Sequence, residues 1–251
     1  MLKYKKYLVL IVLIGAVFII ADSAFSQSLP KISVQVGDAE NPDDLSATMQ
    51  ILVVLTVLAL APSIMIMVTS FIRIVVVFAF LRQAMGTHQM PPNQLLMGLA
   101  LILTFFLMSP VINEVHTNAI QPYLDGELNQ KEAYDVGIKP IREFMLYQVN
   151  EKDLELFVGL SGLEQPQTQE DIPTYVLIPG FITSELRTAF QIGFTLFIPF
   201  LVIDMVVASV LMSMGMLMLP PIMVSLPFKI LLFVLVDGWY LVIKSLVASF
   251  G

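Results

Sequence analysis

The chain has no cysteine, two histidines and one tryptophan, and only 13% of its 251 residues are charged. Without cysteine there is no disulfide, no thiolate metal site and no cysteine nucleophile. The two histidines, His88 and His116, fall in different loops, and no His/Glu cluster has ligand spacing, so no metal is expected. No glycine-rich phosphate loop occurs, so neither nucleotide hydrolysis nor any other cofactor is expected. Basic residues are the minority, 13 against 20 acids, and a net charge of -7 argues against nucleic acid as a partner. The scarcity of charge also excludes an ordinary soluble domain, which at this length needs a far more polar surface.

What remains is apolar. Hydrophobic residues make up 57% of the chain and the mean hydropathy is +0.84, which places it among membrane proteins. The opening "MLKYKKYLVLIVLIGAVFIIADSAFSQ" sets Lys3, Lys5 and Lys6 before an apolar run, with small residues at Ala24 and Ser26. This is the plan of a cleavable secretory signal over residues 1–26, with an uncleaved anchor helix as the alternative. The mature chain would begin at Gln27, and residues 27–48 read as an extended arm outside the cytoplasm.

Four further apolar segments follow, near 49–81, 95–111, 186–213 and 222–250. A span needs about 20 residues, so all four reach or exceed it. Pro62, Pro110, Pro199 and Pro227 stand in or at the end of these segments, and an interior proline removes a backbone bond, so bent or broken helices are expected there. The fold class is therefore all-α, built of kinked membrane-associated hairpins: a first hairpin over 49–112, an acidic helical segment over 113–185 and a second hairpin over 186–251. Arg82 marks the first turn as cytoplasmic, and the acid-rich segment that follows is placed outside. Within it, Ile141, Phe144, Met145, Leu154 and Phe157 recur at helical spacing, which predicts one or two amphipathic helices with Pro140 near the first turn, then a loop over 160–175.

The two hairpin turns share a pattern. "MGTHQMPP" (85–92) and "MGMLMLPP" (214–221) both read Met-Gly, four residues, Pro-Pro. Glycine can end the incoming helix in a left-handed conformation and proline can open the next at its first position. Any helical hairpin favours these residues, so two hairpins of similar design stand beside simple turn chemistry as readings.

Arg73, Asp204, Lys229 and Asp237 lie within apolar segments, and Glu185 and Arg187 at the start of the third. An ionisable side chain in lipid is costly and usually faces a partner or water. Snorkelling suits Lys229, Arg187 and Lys244 near segment ends, but suits Arg73, Asp204 and Asp237 less well. Glu185, Arg187, Lys229, Asp204 and Arg73 are expected to form ion pairs between helices or between subunits, with Lys229 one candidate partner of Glu185. Asp204 and Asp237 also admit a membrane aspartyl protease, but no glycine-flanked acid motif accompanies Asp204, and no enzyme is expected. A small-solute or ion transporter using Arg73, Asp204 and Asp237 as a midplane site is the alternative function.

Three stretches carry a resemblance: "VTSFIRIVVVFAFLRQAMGTHQMPPNQLLMGLALILTFFLMSPV" (68–111), "IPGFITSELRTAFQIGFTLFIPFLVIDMVVASVLMSMGM" (178–216) and "LPFKILLFVLVDGWYLVI" (226–243). Together they strongly resemble the FliP family, core proteins of the bacterial flagellar type III export gate. The resemblance implies a subunit of a helical ring of about five copies, assembled with FliR-like and FliQ-like subunits in the bacterial inner membrane or raised toward the periplasm. It also implies a pore that conducts unfolded flagellar proteins. The family's methionine-rich loop, thought to seal that pore, maps onto Met214, Gly215, Met216, Leu217 and Met218, with Leu217 where the family often has methionine. Unbranched, adaptable methionine suits such a gasket.

Overall fold

The computed structural model describes residues 42–251 apart from 88, 89, 163–165, 167 and 217. The signal segment, its cleavage point, most of the arm, His88 and Leu217 therefore lie outside the described residues. The chain divides into two compact units, 1–55 and 56–251. In the first, the described residues are already helical from Pro42, inside the stretch expected to be an extended arm.

Most of the described residues are helical, and there is no strand among them. In order they are α1 (Pro42–Met67), α2 (Phe71–Met85), α3 (Asn93–Val115), a π-helical turn (His116–Ile120), α4 (Gln121–Leu124), α5 (Gln130–Gln148), α6 (Glu151–Ser161), a short 3-10 turn (Gln169–Asp171), α7 (Thr174–Ser213), α8 (Pro221–Leu235) and α9 (Gly238–Ala248). The stretches Asn93–Leu124 and Thr174–Ser213 are each long and apolar enough to cross a membrane, and two bent pairs, Ile51–Met67 with α2 and α8 with α9, add up to two more.

The breaks are not where the prolines predict. Pro62, Pro110, Pro199 and Pro227 all sit inside continuous helices. The sharp bends fall at residues 68–70, by 64°, and next to Asp237, by 66°. At the first, the Thr69 hydroxyl donates to the Ile66 carbonyl and accepts from the Phe71 amide, so a side chain takes over backbone partners and the helix can part. At the second, Asp237 adopts a left-handed conformation (φ 51°), and Gly238 packs so closely that a Cβ there would lie 2.2 Å from the Phe233 ring. Aspartate tolerates that backbone region better than most residues, and only glycine fits beside Phe233.

The helices also run through the expected segment borders at 112/113 and 185/186. α3 continues through the π turn to Leu124, and α7 begins at Thr174 and covers 40 residues, about 60 Å at 1.5 Å rise. That is about twice a hydrocarbon core. Pro140 lies in the middle of α5, not in its first turn, which is fixed instead by an Asn129–Glu132 capping box.

Two apolar clusters share α7. Near its start, Val176, Leu177 and Phe181 pack with Met145 and Leu154 of the helical pair α5–α6. Further along, Ala189 and Phe200 join Phe71, Ile74, Val77, Phe78 and Leu81 of α2 and Phe233 of α8. α2 lies along α7 so closely that a Cβ on Gly193 would meet the Phe80 ring at 2.6 Å. Between the two clusters α7 carries Ser184, Glu185 and Arg187, and the polar chemistry gathers there.

Candidate functional site

Arg73 sits one turn into α2, and its side chain is only 2% exposed. A buried guanidinium must place every donor, and this one does. Nε donates to Glu185 Oε2 at 2.9 Å, and Nη2 to Glu185 Oε1. Nη2 also donates to Gln148 Oε1 at 2.8 Å, and Nη1 to the Ser249 carbonyl at 2.6 Å and the Ser249 hydroxyl at 3.1 Å. Arginine has five N–H donors in a fixed fork, and these contacts use them all. The Phe250 ring covers the guanidinium at 3.9 Å. Glu185, with its side chain wholly buried, answers with both oxygens.

One residue away on α7, Ser184 donates to Asp153 Oδ2 at 2.9 Å and accepts from the Asn150 amide, which opens α6. Arg187 completes the Asp153 carboxylate from the exposed side at 2.5 Å. The polar layer therefore joins α2, α5, α6 and α7 with the residues that follow α9.

A second brace lies toward the other end of α7. Lys229 of α8, 3% exposed, donates to Asp204 Oδ2 at 2.5 Å and to the Ala84 carbonyl at 3.2 Å. Ser225 donates to Asp204 Oδ1 at 2.5 Å. One ammonium thus ties the end of α2, just before the Gly86 turn, to the stem of the second hairpin. Lys229 does not snorkel, and Glu185 takes Arg73 as its partner in place of Lys229. Within the chain, Arg73 and Asp204 belong to separate networks. Asp237 is exposed at the α8–α9 bend, and both Asp204 oxygens are engaged.

At the end of α7 the chain turns by a glycine-centred cap. Gly215 adopts φ 74°, its amide donates to the Met212 carbonyl, and the Met216 amide donates to the Leu211 carbonyl, both at 3.0 Å. This pair of bonds is the Schellman arrangement, which satisfies carbonyls left free at a helix end. Pro221 opens α8 at its first position. The helix before the first turn also ends on a left-handed glycine, Gly86 at φ 74° with its amide donating to the Gln83 carbonyl at 3.1 Å, but Pro92 there stands at the cap and Asn93 begins the helix. Arg82 donates to Asn93 across that turn. The methionines of the second turn face outward: Met214 is 67% exposed, Met216 39% and Met218 98%.

Several partners were missed from sequence: Asp153, Gln148, Ser184, Ser225, Ser249 and Phe250. Asp153 had a signal, because it stands beside Leu154 and one turn before Phe157, on the apolar side of α6. The others are neutral residues whose role exists only once the helices meet. Among the described residues no group of three or more His, Cys, Asp or Glu side chains is placed to hold a metal.

The FliP family's sequence profile matches residues 54–246. A flagellar biosynthetic protein FliP of Bacillus subtilis is 53% identical over 217 residues, covering 86% of this chain and 98% of that protein. One from Aquifex aeolicus is 47% identical over 232 residues (92% and 95%), and one from Treponema denticola 39% over 269 (98% and 99%). Matches of this length and coverage, spanning both hairpins and the helices between them, show that the chain belongs to the FliP family.

Proposed function

We propose that this chain is a structural subunit of a bacterial flagellar type III export gate in the inner membrane. It works beside further copies of itself and FliR-like and FliQ-like partners around a pore for unfolded flagellar proteins. The flagellar names of its relatives support the pathway. The observation that carries the pore role is the methionine turn: three apolar, flexible side chains stand exposed on a capped bend between two braced helices. A gate for unfolded chains must close when empty and yield to any side chain. Methionine does both, since it is unbranched and fills irregular gaps, and a ring of apolar side chains excludes ions by dewetting. Gly215 supplies the bend, and Pro221 fixes the far stem.

The test is Met216→Ala with Met218→Ala. Neither side chain belongs to a buried cluster of its own chain, so the complex should assemble. The shortened side chains should leave cells permeable to small ions, read as membrane conductance at matched expression. Unchanged conductance with the complex verified as assembled would refute the gasket.

A further inference from the structure

We propose that residues 249–251 form a latch that closes over Arg73 and fixes helix α5 to the hairpin core. The proposal stands on the polar layer alone and is independent of the pore reading.

Glu185 takes two of the five Arg73 donors. The other three are left for groups that neither α2 nor α7 supplies: the Ser249 carbonyl, the Ser249 hydroxyl and the Gln148 side chain. Gln148 is the last residue of α5, and its own amide donates to the Phe250 carbonyl at 2.9 Å. The Phe250 ring lies between two partners. One face meets the guanidinium at 3.9 Å, and the ring stacks with Phe144 of α5, centroids 6.5 Å apart and planes 20° apart. The strap and α5 therefore share one cation, one amide and one aromatic stack. The strap is also bonded to the end of α9, where the Ser249 amide donates to the Ser245 carbonyl at 3.0 Å and the Ser249 hydroxyl to the Leu246 carbonyl at 2.7 Å, but its polar contacts beyond α9 run through Arg73 and Gln148, both of which also hold α5.

The physical consequence is coupling. If the strap lifts, Nη1 loses both partners, the Gln148 amide loses its acceptor and Phe144 loses its stacked ring. Buried donors without partners are costly, so the strap recloses and the last turns of α5 close with it. α6 is secured separately, through Asp153. Met145 packs α5 against α7 and Arg142 donates to Thr174 and to the Ile172 carbonyl, and the latch adds to these a tie between α5 and the segment after α9.

The experiment is amide hydrogen exchange on the full chain purified from membranes. The variants are Phe250→Ala, Gln148→Ala and Phe250→Tyr, the last keeping the ring. Both alanine variants should speed exchange of amides in 141–149 about tenfold, while α2 stays within about twofold of the parent. Phe250→Tyr should behave as the parent. Parent-like exchange in 141–149 for both alanine variants would overturn the latch. So would an equal rise across α2, because the strap would then be a general stabiliser and not a coupling to α5.

Discussion

The two ends of helix α7 solve opposite problems with the same backbone. Around Glu185, near its start, charged groups are buried and every donor of Arg73 has a partner. At 214–218, about 40 Å further along, the side chains are apolar and Met218 is 98% exposed. The first region specifies one geometry, because any displacement strands a buried charge. The second specifies almost none, because an exposed thioether loses little by moving. A helix that is immobile at one end can present an adaptable surface at the other in a fixed place.

The difference is largest in what a truncation costs. Glu185→Ala leaves the Arg73 guanidinium buried with two donors unpaired, and breaking one side of such a pair costs about 3–5 kcal/mol. The expected result is a much lower unfolding midpoint of the purified chain and loss of assembled complex, with Glu185→Lys worse. Arg73→Met combined with Glu185→Leu should recover part of the stability, since an apolar replacement removes both charges together. An unfolding midpoint of Glu185→Ala equal to that of the parent would show that the two ends of α7 do not differ as described.

The Lys229 brace should rank next. Lys229→Ala frees the Ala84 carbonyl and removes one partner of Asp204, but Asp204 is 30% exposed and keeps Ser225. Water can therefore replace part of what is lost, and the expected cost is about 1–3 kcal/mol. The same thermal unfolding series decides the order. A Lys229→Ala loss as large as that of Glu185→Ala would mean that the brace ties the hairpins as strongly as the Arg73 layer does.

How much of this could be read from sequence follows the same division. The all-helical class, the apolar segments, the glycine-ended turns and the set of charged residues within them were legible, because composition and spacing are local. The pairings were not. Glu185 lies 112 positions from Arg73, and nothing along the chain selects Arg73 over Lys229 as its partner. The helix breaks at 68–70 and 236–237 were not legible, because proline is a visible breaker, whereas Thr69 acts through side-chain bonding and Gly238, after the left-handed Asp237, through close packing against Phe233. The start of α7 was set too late, at 186. "YVLIPGFITS" ahead of Glu185 is as apolar as the rest of the helix, but the charges at 185 and 187 read as a border. They mark instead where one helix passes between two apolar clusters.

The smallest expected effect on stability, and the sharpest on mechanism, is Met216→Leu with Met218→Leu. The two residues conserve apolar character and approximate volume, and substitutions at exposed positions usually stay within about 0.5 kcal/mol. Unfolding and assembly should therefore match the parent. Leucine still fills a ring of side chains, so conductance should stay low, in contrast to the alanine pair. What changes is adaptability, because leucine branches and has fewer rotatable bonds than methionine. If the turn must yield to passing chains, export should slow, most of all for substrates rich in bulky side chains, measured as secreted flagellar protein at matched expression. A leucine pair that exports at the parent rate would show that shape and apolarity suffice at this turn and that the flexibility of methionine contributes nothing there.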